Sequence, residues 1–197
     1  MATEILLTRH GKTVANLDNR FAGRSDEPLH RQGEEQLAEV AARLIDRDLA
    51  AIFSGPLPRT TQSAEIIGKA TGVPIYSREA FNEIDIPHWD GLTKQEITDR
   101  FGRQYPTWLS APHDFRVEGC ETLALVQSRA VDEIEGIFEQ HEGKTVIVVS
   151  HLIVIRCLVL HYRHQPINDF RSIKIDNASL SILSRDAKSQ TSVSLDI

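Results

Sequence analysis

Two short motifs carry the residues in this chain best suited to chemistry: Thr8-Arg9-His10-Gly11 near the start, and Ser150-His151, whose histidine lies 141 positions after His10. Each follows a compact apolar run, EILL in the first case and TVIVV in the second. A third run, AAIFS at 50–54, is followed five residues later by Arg59. Guanidinium groups fork onto phosphate oxygens, and backbone amides at a helix start supply further donors. An imidazole close to Arg9 and Arg59 has its charged form disfavoured, so His10 keeps a lone pair and is available as a nucleophile. Attack on phosphorus would form a phosphohistidine and divide one difficult displacement into two. The departing alkoxide then requires a proton. FNEIDIPHWDGLT offers Glu83, Asp85 and Asp90 as carboxyl groups for that purpose.

The elements that must hold these residues follow from periodicity. EILLT (4–8), AAIFS (50–54), VPIYS (73–77), TVIVVS (145–150) and ASLSILSR (178–185) read as strands, the first and fourth suited to burial on both faces. Helices are expected over about 33–46, 56–72, 121–140 and 152–162. In the first of these Leu37, Val40, Ala41, Leu44 and Ile45 form one apolar stripe, and Gly72 closes the second as a left-handed cap. Strands alternating with helices imply an α/β fold, a three-layer α/β/α sandwich with a mostly parallel central sheet. Ligands in such sheets bind at the carboxyl ends of the strands. That edge is where His10, His151, Arg9 and Arg59 converge. No repeat or linker divides the chain, so 1–197 is expected to be a single domain, with 81–119 as an irregular segment covering the site.

Composition narrows the partners. The chain is 41% hydrophobic and 25% charged with a net charge of −6, which argues against nucleic acid or an anionic membrane surface as partner. The most apolar stretch, Val146 to Leu160, has 15 residues and contains His151 and Arg156, too short and too polar for a membrane span. The opening MATEILLTRHGKT fits neither a leader nor an anchor. Cys120 and Cys157 lie outside any CxxC or metal-ligand spacing, and two free thiols fit a cytoplasmic location. His161 and His164 lack the acids or cysteines that a metal would need nearby. The expected partner is a small phosphorylated metabolite, and the expected assembly a homodimer.

LLTRHGKT-VAN, SGPLPRTTQSA, NEIDIPHWDGLT, EGCETLALVQSR and VVSHLIVIR, in this order, resemble the motifs of the histidine phosphatase superfamily, with its phosphoglycerate mutase-like fold. The resemblance runs over nearly the whole chain, to DNASLSIL. It implies that His10 is the residue phosphorylated, that Arg9, Arg59 and His151 clamp the phosphoryl oxygens, and that Asn16 is an additional donor. Ala22, Gly23 and Leu152 fall in the same binding set. Glu83 matches the position that protonates the leaving group and then activates water. Neither metal nor other cofactor is implied. Trp89 matches a packing residue in the family's Trp-x-Gly turn.

The departures bear on function. Lys12 stands where the family has Glu or Gln, Leu152 where Gly is common, and Gly119-Cys120-Glu121-Thr122 replaces a Gly-Gly-Glu-Ser pattern. Lys12 either projects away from the pocket or adds positive charge to it. His88, five residues past Glu83, either meets the non-phosphate end of the substrate or faces solvent. Arg156 is expected to tie its helix to a neighbour. The leading expectation is a metal-independent phosphatase of small phosphomonoesters. One rival is mutase-type phosphoryl transfer; against it, Ala22 lacks the hydroxyl that mutases offer, and only 37 residues separate Glu83 from Glu121. The other is a non-catalytic phosphate-binding protein, which typically loses the nucleophile or the acid.

Overall fold

The computed structural model describes residues 2–195. In chain order the elements are β1 (Thr3–Arg9), α1 (Val14–Leu17), α2 (Arg31–Leu44), β2 (Leu49–Ser54), α3 (Pro58–Thr71) and β3 (Ile75–Ser77). They continue with α4 (Lys94–Phe101), α5 (Gln104–Ser110), α6 (Leu123–Gln140), β4 (Thr145–Ser150), α7 (Leu152–Tyr162), β5 (Leu180–Arg185) and β6 (Thr191–Ser194). The six strands form one sheet in the order β3-β2-β4-β1-β5-β6. The first four are parallel, whereas β5 and β6 are antiparallel to their neighbours.

Strand periodicity divides the core. Ile5, Leu7, Val146, Val148 and Phe53 point to the face covered by α6 and α7. Leu6, Ile147, Val149 and Ile52 point to the face covered by α2 and α3. Side chains alternate across a strand, so runs that are apolar at every position can exist only between two helical layers. Leu37, Val40, Ala41 and Leu44 form the buried stripe of α2 and Gly72, with φ 74, is the αL cap of α3, but Ile45, expected in the stripe, lies one residue past the end of α2 and is exposed. Among the described residues no helix is long and apolar enough to cross a membrane.

Two further features depart from the sequence expectation. The segment after β3 contains helices α4 and α5, packed around an aromatic cluster of Trp89, Tyr105, Trp108 and Phe115. Its short polar helices carry too few apolar positions to reveal a 3.6-residue period. The strand at 180–185 is followed by another, β6, four residues of Thr and Ser around one Val, whose pairing along β5 overrides weak local signals.

Candidate active site

The site forms because β1 and β4 are parallel neighbours in a register that sets Arg9 opposite Ser150. The next residue of each strand is therefore His10 or His151, and the two lie side by side at the carboxyl edge. The His10 N–H donates to the Ser150 carbonyl at 3.0 Å, and the imidazole centroids are 5.3 Å apart. β2 leaves the sheet on the other side of β4. Gly55 and the first turn of α3 then bring buried Arg59 to the same edge.

His10 is 3% exposed, and its Nδ1 lies 2.7 Å from the Gly11 carbonyl oxygen. A carbonyl can only accept, so Nδ1 carries the proton and Nε2 keeps the lone pair. Burial, with help from Arg9 and Arg59, holds the ring's pKa well below the ordinary 6.5, so it is neutral at physiological pH. His151 is fully buried, and neither ring nitrogen has a hydrogen-bond partner among the described residues. Its pKa is depressed by burial and then by Arg59.

The two arginines are anchored differently. Arg9 Nη1 donates to the Ile175 carbonyl at 3.1 Å, and burial lowers its pKa to about 10. Arg59 donates from Nη2 to Gly23 O at 2.6 Å and from Nη1 to Ser25 O at 3.0 Å. The Nε of each is buried without a hydrogen-bond partner among the described residues. Glu83 is the carboxyl nearest this group, with Oε2 3.9 Å from His151 Nδ1. Burial raises its pKa despite the opposing pull of Arg59, so its protonated form persists to higher pH than an ordinary glutamate's. Its side chain keeps 14% exposure, which leaves it open to the cavity.

A cavity of about 340 Å³ opens on this edge, and Arg9, His10, Asn16, Ala22, Gly23, Arg59, Glu83 and Leu152 all line it. The Asn16 carbonyl oxygen accepts from Thr13 N and Asn177 Nδ2, leaving its amide NH₂ as the donor that can serve a ligand. Leu152 and Ile153 belong to the first turn of α7, so the positive end of that helix dipole faces the cavity. Ile84, Ile86 and Trp89 add apolar surface to the lining. His151 is not among the residues lining this cavity; its ring lies beside that of His10. His88 does not reach the cavity. Its Nε2 donates to Gln104 Oε1 at 2.6 Å, and its Nδ1 faces Cys120 Sγ at 3.6 Å, under α5. Lys12 lies outside the lining. Arg156 donates to Ile173 O at 2.7 Å and stacks over Phe170, tying α7 to the chain that follows it.

Several residues at this edge carried no assignment in the sequence. Asn177 donates to the His10 carbonyl at 3.0 Å. It precedes an antiparallel strand, and such a strand presents its start, not its end, on the catalytic edge. Glu121 and Arg129 form a two-pronged ion pair at 2.7 and 3.0 Å beneath Glu83. The motif EGCETLALVQSR held both, but nothing in their spacing indicated what they would brace.

With this fold and this edge, the chain belongs to the histidine phosphatase superfamily (branch 1), whose sequence profile matches residues 5–197. Phosphoserine phosphatase 1 of Hydrogenobacter thermophilus is 28% identical over 194 residues, spanning 98% of this chain and 92% of that protein. A Salmonella choleraesuis protein named as a probable phosphoglycerate mutase, GpmB, is 29% identical over 90% of this chain and 83% of its own length. The solved structure of Bacillus stearothermophilus YhfR superposes with a TM-score of 0.93 at 30% identity, covering 98% of this chain and 96% of that one.

Proposed function

We propose that this protein is a phosphatase that hydrolyses small phosphomonoesters through a phosphohistidine on His10, without a metal or other cofactor. The observation that carries the reading is the neutral His10 ring, with Nδ1 committed to Gly11 O and Nε2 free, set between Arg9, Arg59 and His151. In the first step Nε2 bonds to phosphorus, the ester P–O bond breaks, and Glu83 gives its proton to the leaving oxygen. In the second, Glu83 takes a proton from water as its oxygen attacks phosphorus. The P–N bond breaks and the electron pair returns to His10. Positioned cations stabilise charge on the equatorial oxygens where water would have to reorganise. Asn16 and the first turn of α7 add donors; Ala22, Gly23 and Leu152 shape the mouth.

Hydrolysis is favoured over transfer to a second hydroxyl because Ala22 offers no side-chain donor at the mouth and the segment after Glu83 is short. We place the enzyme in the cytoplasm, in keeping with its two free thiols, and read 1–197 as one working domain.

The test is acid quenching during turnover of p-nitrophenyl phosphate. The expected product is an acid-labile phosphoryl group on His10, absent in His10→Ala, with turnover unchanged by a chelator. An acid-stable phosphoester, full activity in His10→Ala, or chelator loss restored by Mg²⁺ refutes the mechanism. Conversion of 3-phosphoglycerate to 2-phosphoglycerate faster than phosphate release would reassign the enzyme as a mutase.

A further inference from the structure

The turn Gly23-Arg24-Ser25 touches both halves of the site. Its carbonyls at 23 and 25 take the two bonds from Arg59. Its Arg24 side chain, one-third exposed, reaches the other way, with Nε donating to the Glu83 carbonyl at 2.9 Å. Arg24 Nη2 donates to Glu121 Oε2 at 3.2 Å, and Nη1 lies 3.5 Å from Asp85 Oδ2. Asp90 Oδ1 packs so closely on Gly23 that a Cβ there would lie 1.6 Å from it. Glu121 is shared with Arg129, which itself donates to Ala80 O at 2.6 Å. The Glu83 carbonyl is thus bonded by a guanidinium whose two neighbours in the chain, Gly23 and Ser25, hold Arg59 by their carbonyls.

We infer that Arg24 is a positioning residue for Glu83, and that the 23–25 turn couples the placement of the acid to that of the phosphoryl-binding Arg59. The inference rests on the reading of Glu83 as the proton donor. A misplacement on the order of 1 Å at a proton donor is enough to cost about 100-fold in rate. In the first step, which kcat/KM reports, the cost falls only on substrates whose leaving group needs the proton; the second step is common to all substrates. A purely structural role would slow every substrate alike.

The experiment compares phenyl phosphate, a poor leaving group, with p-nitrophenyl phosphate, a good one. Arg24→Ala is expected to lower kcat/KM for phenyl phosphate by about 10- to 100-fold and for p-nitrophenyl phosphate by less than about 3-fold. Arg24→Lys, which can bond the Glu83 carbonyl but cannot fork to Glu121, should recover part of the loss. Glu83→Gln must show the same split between substrates. If it does and Arg24→Ala does not, the positioning role is refuted alone; if Glu83→Gln shows none, the acid reading falls and the role of Arg24 with it. Should Arg24→Ala fail to fold, Glu121→Gln, which loosens the same guanidinium, must reproduce the split, and equal losses on both substrates overturn the inference.

Discussion

The imidazoles of His10 and His151 stand 5.3 Å apart and tilted by 58°, each one residue beyond the end of a parallel strand. The relationship is set by the sheet and not by either ring, because the hydrogen bond joining the two segments is His10 N–H to Ser150 O. Two basic rings can share this edge because both are held neutral.

That neutrality has a cost in acid. Both rings have folded-state pKa values well below 6.5, chiefly through burial. The unfolded chain takes up two protons that the folded chain refuses, so their stabilisation is complete above about pH 6.5 and is lost as pH falls toward their folded-state values. The slope is roughly 1.4 kcal/mol per pH unit for each ring. Glu83, raised from 4.5, contributes with the opposite sign, favouring the folded state at low pH and losing that contribution as pH rises through its folded-state value. Urea unfolding between pH 7.5 and 5 should show falling stability, and His151→Gln should remove one histidine's share of the slope. A slope that survives this substitution refutes the account.

Gly11→Ala should damage both stability and turnover. A Cβ at Gly11 would lie 2.5 Å from the Gly33 carbonyl oxygen, a backbone atom at the start of α2 that cannot swing aside. Overpacking of this kind costs about 1–3 kcal/mol. Relief requires moving the carbonyl that orients His10, so kcat for p-nitrophenyl phosphate should fall as well. Denaturant melts and steady-state rates on one preparation check both.

Trp89→Ala tests the cover of the cleft. Trp89 is fully buried, with ring contacts to Phe21 at 5.1 Å and Phe115 at 5.0 Å, and its Nε1 donates to Gln104. Its removal should destabilise the fold by about 3–5 kcal/mol. Phe21 and Trp89 line the cavity with apolar surface and carry no group for the phosphoryl chemistry, so KM should rise more than kcat falls, and Trp89→Phe should be milder on both counts.

The parallel half of the fold and the edge residues were legible in the sequence because strong periodicity and chemistry coincide there. Buried runs end directly in His10 and His151, and a strand followed by a helix places Arg59. The cover was less legible. His88 is drawn beneath α5 by Gln104 and Cys120, partners 16 and 32 positions away that no local pattern pairs with it. Arg24 escaped notice for the same reason: its importance lies in reaching Glu83 and Glu121 across the cleft, and a lone arginine in a polar turn carries no signature of its target. Asn177 was hidden by direction, since the rule for strand ends finds only residues that follow parallel strands.

Arg59 is secured by the main-chain carbonyls of Gly23 and Ser25, groups that every amino acid supplies. The anchorage is therefore blind to side-chain replacement at 22 and 25, while Gly23 itself, with φ +52 and Asp90 against its Cα, accepts none. Sequence drift at this lip can change what the mouth of the cleft admits without displacing the guanidinium behind it, so relatives with unlike substrates can share one unaltered anion end.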